Sequence, residues 1–148
     1  MVSSRGQSKG CLATFVERKT RFYIAIKMDD RTKESMFLAI SSLYNILTSK
    51  LLKTFTVDRG KEFACFEQVE TKFGIPIYFA DAYAAWQRGT NENSNGLLRE
   101  FFSKKTDLAK VTLDKLREAL MLINNRPRKC LGFKTPFDMF KHEIRKLI

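Results

Sequence analysis

The chain has 148 residues, of which 27 are Lys or Arg and 16 Asp or Glu, giving a net charge of +11 and an isoelectric point near 9.8. With 44% hydrophobic residues and 18 aromatics (13 Phe, 4 Tyr, 1 Trp) it is no disordered basic tail, and a chain of this length buries about two-thirds of its unfolded surface. Cys11, Cys65 and Cys130 are odd in number, far apart and in no Cys-x-x-Cys spacing, which excludes a disulfide framework and a zinc cluster and suits a reducing compartment.

Taken in chain order, Gly10 to Glu17 and Arg21 to Met28 are β-rich runs around Arg18-Lys19-Thr20 and predict a hairpin. Lys33 to Leu47 places Met36, Phe37, Ile40, Leu43, Tyr44 and Leu47 at helical spacing. Lys53 to Val57 reads as a short strand ending in Asp58-Arg59-Gly60, and Lys61 to Phe73 as a helix stopped by Gly74. Pro76 to Ala80 is another short strand, followed by Asp81. Residues 81 to 89 read as an irregular loop, after which Thr90 or Asn91 caps a helix to about Phe102. Further helices are expected over Thr112 to Asn125 and from Thr135-Pro136 onward, where a capping residue precedes a proline at the first helical position. The order predicts one α/β domain, a mixed sheet flanked by helices. A stripe of Phe15, Phe22, Phe37, Phe55, Phe63, Phe73 and Phe79 is expected in its core.

Residues 1–98 carry 14 basic and 10 acidic side chains, and residues 99–148 carry 13 and 6, so the second part is the more basic. Such a field concentrates polyanions, and phosphate contacts would release condensed counterions, so nucleic acid is the expected partner. No apolar run approaches the roughly 18 residues that span a bilayer, and the first residues lack a signal-peptide stretch; a soluble cytoplasmic protein with no membrane partner is expected.

Two carboxylates stand out by position. Asp58 follows the end of a strand, where α/β sheets place ligand-binding groups, and Glu92 lies in the first turn of a helix. Hard oxygen donors from separate elements suit a pair of divalent ions for in-line phosphoryl transfer. Each also has a plain structural reading, Asp58 as a turn cap and Glu92 as a partner of the helix dipole. Asn95 and Arg99 fall three and seven residues after Glu92 on the same predicted face, and Arg88 precedes them. Trp86 either stacks on a base or anchors its loop. Arg126, Arg128 and Lys129 form a cluster suited to phosphate contacts or to a solvated loop. The single histidine, His142, reads as a surface residue, which leaves no histidine metal site or Ser/His triad.

Thr56-Val57-Asp58-Arg59-Gly60-Lys61-Glu62-Phe63, Tyr78 to Tyr83 and Trp86 to Arg99 together resemble the catalytic core of DDE transposases of bacterial insertion sequences, of insertion sequence family thirty within the retroviral-integrase-like superfamily. Asn124 to Pro136 resembles that family's C-terminal signature. The resemblance implies an RNase H-like fold and metal-dependent DNA cleavage followed by strand transfer. It also implies Mg2+ or Mn2+ in a two-ion site, transposon-end and target DNA as partners, a homo-oligomer, and no small-molecule substrate. Asp58 and Glu92 match the second and third acidic residues of the triad, with 33 residues between them. Arg88, Asn95 and Arg99 would contact DNA.

The family's first triad Asp lies a few residues upstream of the segment resembling Val2 to Gly6, and no acidic residue here precedes Glu17, which falls in the second strand of the fold. The expectation is a single N-terminally truncated catalytic core over 1–148, with most of the first strand, the first metal ligand and the N-terminal DNA-binding region missing. Little or no turnover would follow. The alternative is an inactive fragment acting as a DNA-binding, assembly or inhibitory module.

Overall fold

The computed structural model describes the backbone of residues 1–148 and every side chain but that of Ala85. Strand β1 (Val2–Ser3) is two residues long and pairs antiparallel with β2 (Cys11–Val16) through Val2 opposite Leu12 and Ser3 opposite Cys11. The hairpin predicted next is present: β2 pairs with β3 (Tyr23–Met28) from Cys11 opposite Met28 to Val16 opposite Tyr23. Glu17 lies just past β2, not within a strand. Its carboxylate accepts from the backbone N–H groups of Lys19 and Thr20, at 3.1 and 2.6 Å, and so closes the turn.

Helix α1 (Lys33–Leu51) opens at Thr32, whose hydroxyl accepts from the Ser35 N–H, and it outruns the expected end at Leu47 across a break at Thr48. Strands β4 (Phe55–Val57) and β5 (Ile77–Phe79) form a separate parallel pair. The single helix expected between them divides into a 3-10 segment (Lys61–Cys65) and α2 (Phe66–Phe73). Gly74 ends α2 at φ +65°, a left-handed conformation that glycine adopts without a Cβ clash. Helix α3 (Gly89–Phe101) starts before the expected caps: Arg88 is its cap residue and provides no side-chain hydrogen bond to the first turn. Thr90 instead accepts from the Arg21 guanidinium. Helices α4 (Leu113–Asn124) and α5 (Pro136–Leu147) open at Thr112 and Thr135, each accepting from the N–H three residues on.

The three-stranded sheet is buried on both faces, so β2 reads as an almost unbroken apolar run. On one face Leu12, Tyr23 and Ala25 meet Leu98 of α3 and Leu116, Ala119 and Ile123 of α4. On the other, Cys11, Ala13 and Met28 meet Met36 and Ile40 of α1 together with Val57, Val69 and Ile77. The phenylalanine stripe is not the centre of either cluster. Phe15, Phe37, Phe55, Phe63 and Phe73 are half-buried around the second cluster, and Phe79 is exposed. Aliphatic side chains fill the narrow space between sheet and helices, while the larger rings pack at its rim, with Phe22 stacked on Phe140 at 4.2 Å. No helix among the described residues is long and apolar enough to cross a membrane.

Candidate nucleic-acid interface and acidic edge

Parallel strands β4 and β5 end side by side, and each is followed by an Asp. Asp58 is held twice: its Oδ1 accepts from the Gly60 N–H at 3.1 Å and its Oδ2 from Nη1 of Arg88 at 2.7 Å. Arg88 in turn begins α3, and its carbonyl accepts from the Glu92 N–H at 3.1 Å. One guanidinium therefore ties the end of β4 to the helix turn that carries Glu92. Glu92 itself is exposed and makes no side-chain hydrogen bond or ion pair among the described residues.

Asp81, at the end of β5, exchanges two hydrogen bonds with Gln87: its N–H donates to Oε1 at 3.0 Å, and Nε2 donates to its Oδ2 at 3.2 Å. That clasp closes the 81–87 loop. Trp86 stands on a 3-10 turn (Ala85–Gln87) within it, 79% exposed, with Tyr83 97% exposed nearby in sequence. The anchoring role open to Trp86 is thus not used here, and its ring faces solvent.

The sequence gives no sign that Glu62 is special, yet it is only 2% exposed. Its carboxylate packs against Gly60 so closely that a Cβ there would lie 2.7 Å from Cδ, and its one ion pair is with Arg31 at 3.3 Å. Asp58 and Glu62 thus share one tight loop but face different cations.

Asn95 and Arg99, three and seven residues after Glu92 on the unbroken α3, each have a hydrogen-bond partner of their own. Asn95 Oδ1 accepts from the Tyr23 hydroxyl at 2.7 Å. Burial raises the Tyr23 phenol well above its ordinary range, so it stays a donor there. Arg99 donates to the Ser3 carbonyl at 2.7 Å and to the Ser103 carbonyl at 3.2 Å, tethering β1 to the end of α3, and burial lowers its guanidinium pKa. Asn95 is thus bonded to the hairpin and Arg99 to β1 and the segment after α3, and neither is hydrogen-bonded to Asp58.

Arg126 pairs with Glu100 near the end of α3 at 3.0 Å, and Glu100 lies about 12 Å along the helix axis from Glu92 at 1.5 Å per residue. Arg128 donates to the Ile123 carbonyl at 3.1 Å at the end of α4, with its Nε buried and unpartnered; burial lowers its pKa, helped by Arg126. Lys129 is exposed. The basic cluster belongs to the far end of α3 and is distinct from the acidic edge.

Magnesium or manganese would suit the hard oxygens of Asp58 and Glu92. Among the described residues no three of His, Cys, Asp and Glu stand close enough to hold a metal, and both Asp58 oxygens already accept hydrogen bonds.

No family model matches the chain. It is 40% identical over 139 residues to the transposase InsI for insertion sequence element IS30A of Escherichia coli (strain K12), covering 94% of this chain and 36% of that protein. It is 37% identical over 139 residues to the transposase for insertion sequence element IS4351 of Bacteroides fragilis, covering 93% and 42%. The chain thus spans about two-fifths of the length of these curated relatives. Among solved structures, the HTLV-2 integrase catalytic core domain in complex with magnesium (trimeric form) superposes with a TM-score of 0.67 at 19% identity, over 90% of this chain and 86% of that one. Small antiparallel and parallel sheets flanked by helices and matched in this way are the RNase H-like fold of integrase catalytic cores. The chain is a homologue of the insertion-sequence transposases, matched along nearly all of its own length and carrying that fold.

Proposed function

We propose that this chain is the core segment of an insertion-sequence transposase. In this reading Asp58 and Glu92 hold the second and third acidic positions of a DDE site, and strand cleavage and transfer on DNA is the reaction of that site when complete. By itself the chain binds DNA and does not cut it. The observation that carries this reading is the Arg88 bridge. It fixes Asp58 to the helix turn of Glu92, bringing the two elements that the resemblance pairs to one edge. The same bridge occupies an Asp58 oxygen, and no third acidic ligand joins it among the described residues, so no step is routed here through a metal. Exposed Lys129 and the exposed aromatic faces of Trp86 and Tyr83 are groups that can meet phosphate and base.

Fluorescence anisotropy with labelled duplex DNA across a salt series tests the binding half. Lys129→Gln is expected to weaken binding to all sequences alike and to reduce the salt slope by about one. An unchanged slope would remove Lys129 from the interface, and no salt-dependent binding at all would remove the DNA reading. Calorimetry with manganese tests the other half: no site at millimolar metal is expected, and tight binding at two sites would overturn it.

A further inference from the structure

We propose that the turn between β1 and β2 and the loop between α3 and α4 together form a further DNA contact, which holds the phosphate backbone of a duplex without reading its bases. Residues 4–10 and 103–110 carry five cations, Arg5, Lys9, Lys104, Lys105 and Lys110, against one acid, Asp107. All five are exposed. None of them enters an ion pair among the described residues, whereas Arg31, Arg88 and Arg126 each have a carboxylate partner.

The two segments are sewn into one surface. The Ser8 hydroxyl donates to Asp107, 99 residues away, and the Leu108 N–H donates to the Ser4 hydroxyl at 2.9 Å. Gly10 lies so close to Ala109 that a Cβ there would stand 2.7 Å from the Ala109 nitrogen. Arg99 and Lys27 brace the assembly through backbone carbonyls: Arg99 donates to Ser3 and Ser103, and Lys27 to Ala109 and Val111 at 3.1 and 2.7 Å. The acids nearby are themselves tied. Hydrogen bonds from Ser8 and from the Ala109 N–H hold the Asp107 carboxyl below its ordinary range, and the Ser35 and Thr32 hydroxyls do the same for Asp30, with a last contribution from Lys9. Five cations against these two acids leave a positive field.

Arg5 gives a second sign. Ser4 to Gln7 form a tight turn: the Gln7 N–H donates to the Ser4 carbonyl at 3.4 Å, and φ is +45° at Arg5 and +88° at Gly6. Asn-Gly or Gly-Gly suits two positive φ angles in succession, and arginine does not. An arginine where asparagine would cost the backbone less points to a use for its charge. The composition then names the partner. None of the exposed large hydrophobic side chains lies in either segment, so no aromatic face is offered to a base. Positive charge spread over two loops without stacking groups fits the regular phosphates of a duplex. The end of α3 at Phe101 lies about 14 Å along the helix axis from Glu92 at 1.5 Å per residue, so this contact is additional to the acidic edge. The proposal rests on the DNA-binding reading above and adds a contact to it.

Fluorescence anisotropy of the full chain with two duplexes of unrelated sequence, across a salt series, tests it. Lys9→Gln, Lys104→Gln, Lys105→Gln and Lys110→Gln combined are expected to reduce the salt slope by about three to four, at about 0.9 for each phosphate contact, and equally for both duplexes. A control combines Lys33→Gln, Lys50→Gln, Lys115→Gln and Lys141→Gln, four exposed lysines elsewhere, and is expected to change the slope by less than about one. Arg5→Asn is expected to lower the slope by about one while the thermal midpoint holds or rises, because asparagine suits the turn. Equal losses in the two fourfold variants would overturn the proposal, since net charge alone would then account for binding. A loss confined to one duplex would overturn backbone recognition. An unchanged slope in the first variant, or in Arg5→Asn should that variant fail to fold, would overturn the proposal and leave the DNA reading standing. A parent chain with no salt-dependent binding would remove both.

Discussion

The seam between the hairpin and helices α3 and α4 differs in kind from the acidic edge at the ends of β4 and β5. At the seam a buried side chain answers backbone groups: Asn124 accepts from the Tyr23 N–H at 2.9 Å and donates to the Tyr23 carbonyl at 2.8 Å, so a side-chain amide continues the edge of β3. At the edge, Asp58 remains 41% exposed and Glu92 faces solvent without a partner. Burial makes the seam's hydrogen bonds costly to lose, and solvent makes the edge's charges cheap to change. Stability is concentrated in one region, and chemical freedom is left in the other.

Breaking the seam should give the largest effect. Asn124→Ala strands both buried backbone groups of Tyr23 and is expected to destabilise the fold by about 2 to 4 kcal/mol in urea denaturation, from the cost of two unmet groups. Next comes Arg99→Met, which keeps much of the apolar stem and removes the charged bonds to Ser3 and Ser103; a loss of about 1 to 3 kcal/mol is expected, with faster exchange in β1. On the acidic edge a double-mutant cycle of Asp58→Asn and Arg88→Gln should return a coupling of only about 0.2 to 1 kcal/mol, because solvent screens the pair. A coupling well above that range would show the edge to be as tightly built as the seam.

The smallest effect is a pH dependence away from both regions. Hydrogen bonds from Lys19 and then Lys146 hold the Glu143 carboxyl down at about 2 from an ordinary 4.5. A carboxyl depressed in the folded state contributes stability that is present above its unfolded pKa and is lost as pH falls toward the folded one. The thermal midpoint should therefore drop more between pH 4.5 and about 2 in the parent chain than in Glu143→Gln. Equal slopes would show that this exposed pair adds nothing to the linkage.

The sequence by itself determined the hairpin, the α1 stripe, the strand ends at Asp58 and Asp81, and the Thr112 and Thr135 caps. These follow from period, turn residues and local capping, which act within a few residues of chain. The same local view placed Asn95 and Arg99 beside Glu92, since three and seven residues share a helix face. Tertiary packing chose the hydrogen-bond partners of those two side chains. Tyr23, 72 residues before Asn95, and Ser3, 96 residues before Arg99, bind those side chains to the hairpin and to β1. Likewise only the fold shows Arg88 on Asp58, Glu62 buried behind Gly60, and phenylalanines displaced to the rim by aliphatic residues. A carboxylate, amide or guanidinium takes whichever partner the folded chain brings within about 3 Å, and that choice is set by contacts between distant segments, which no local pattern encodes.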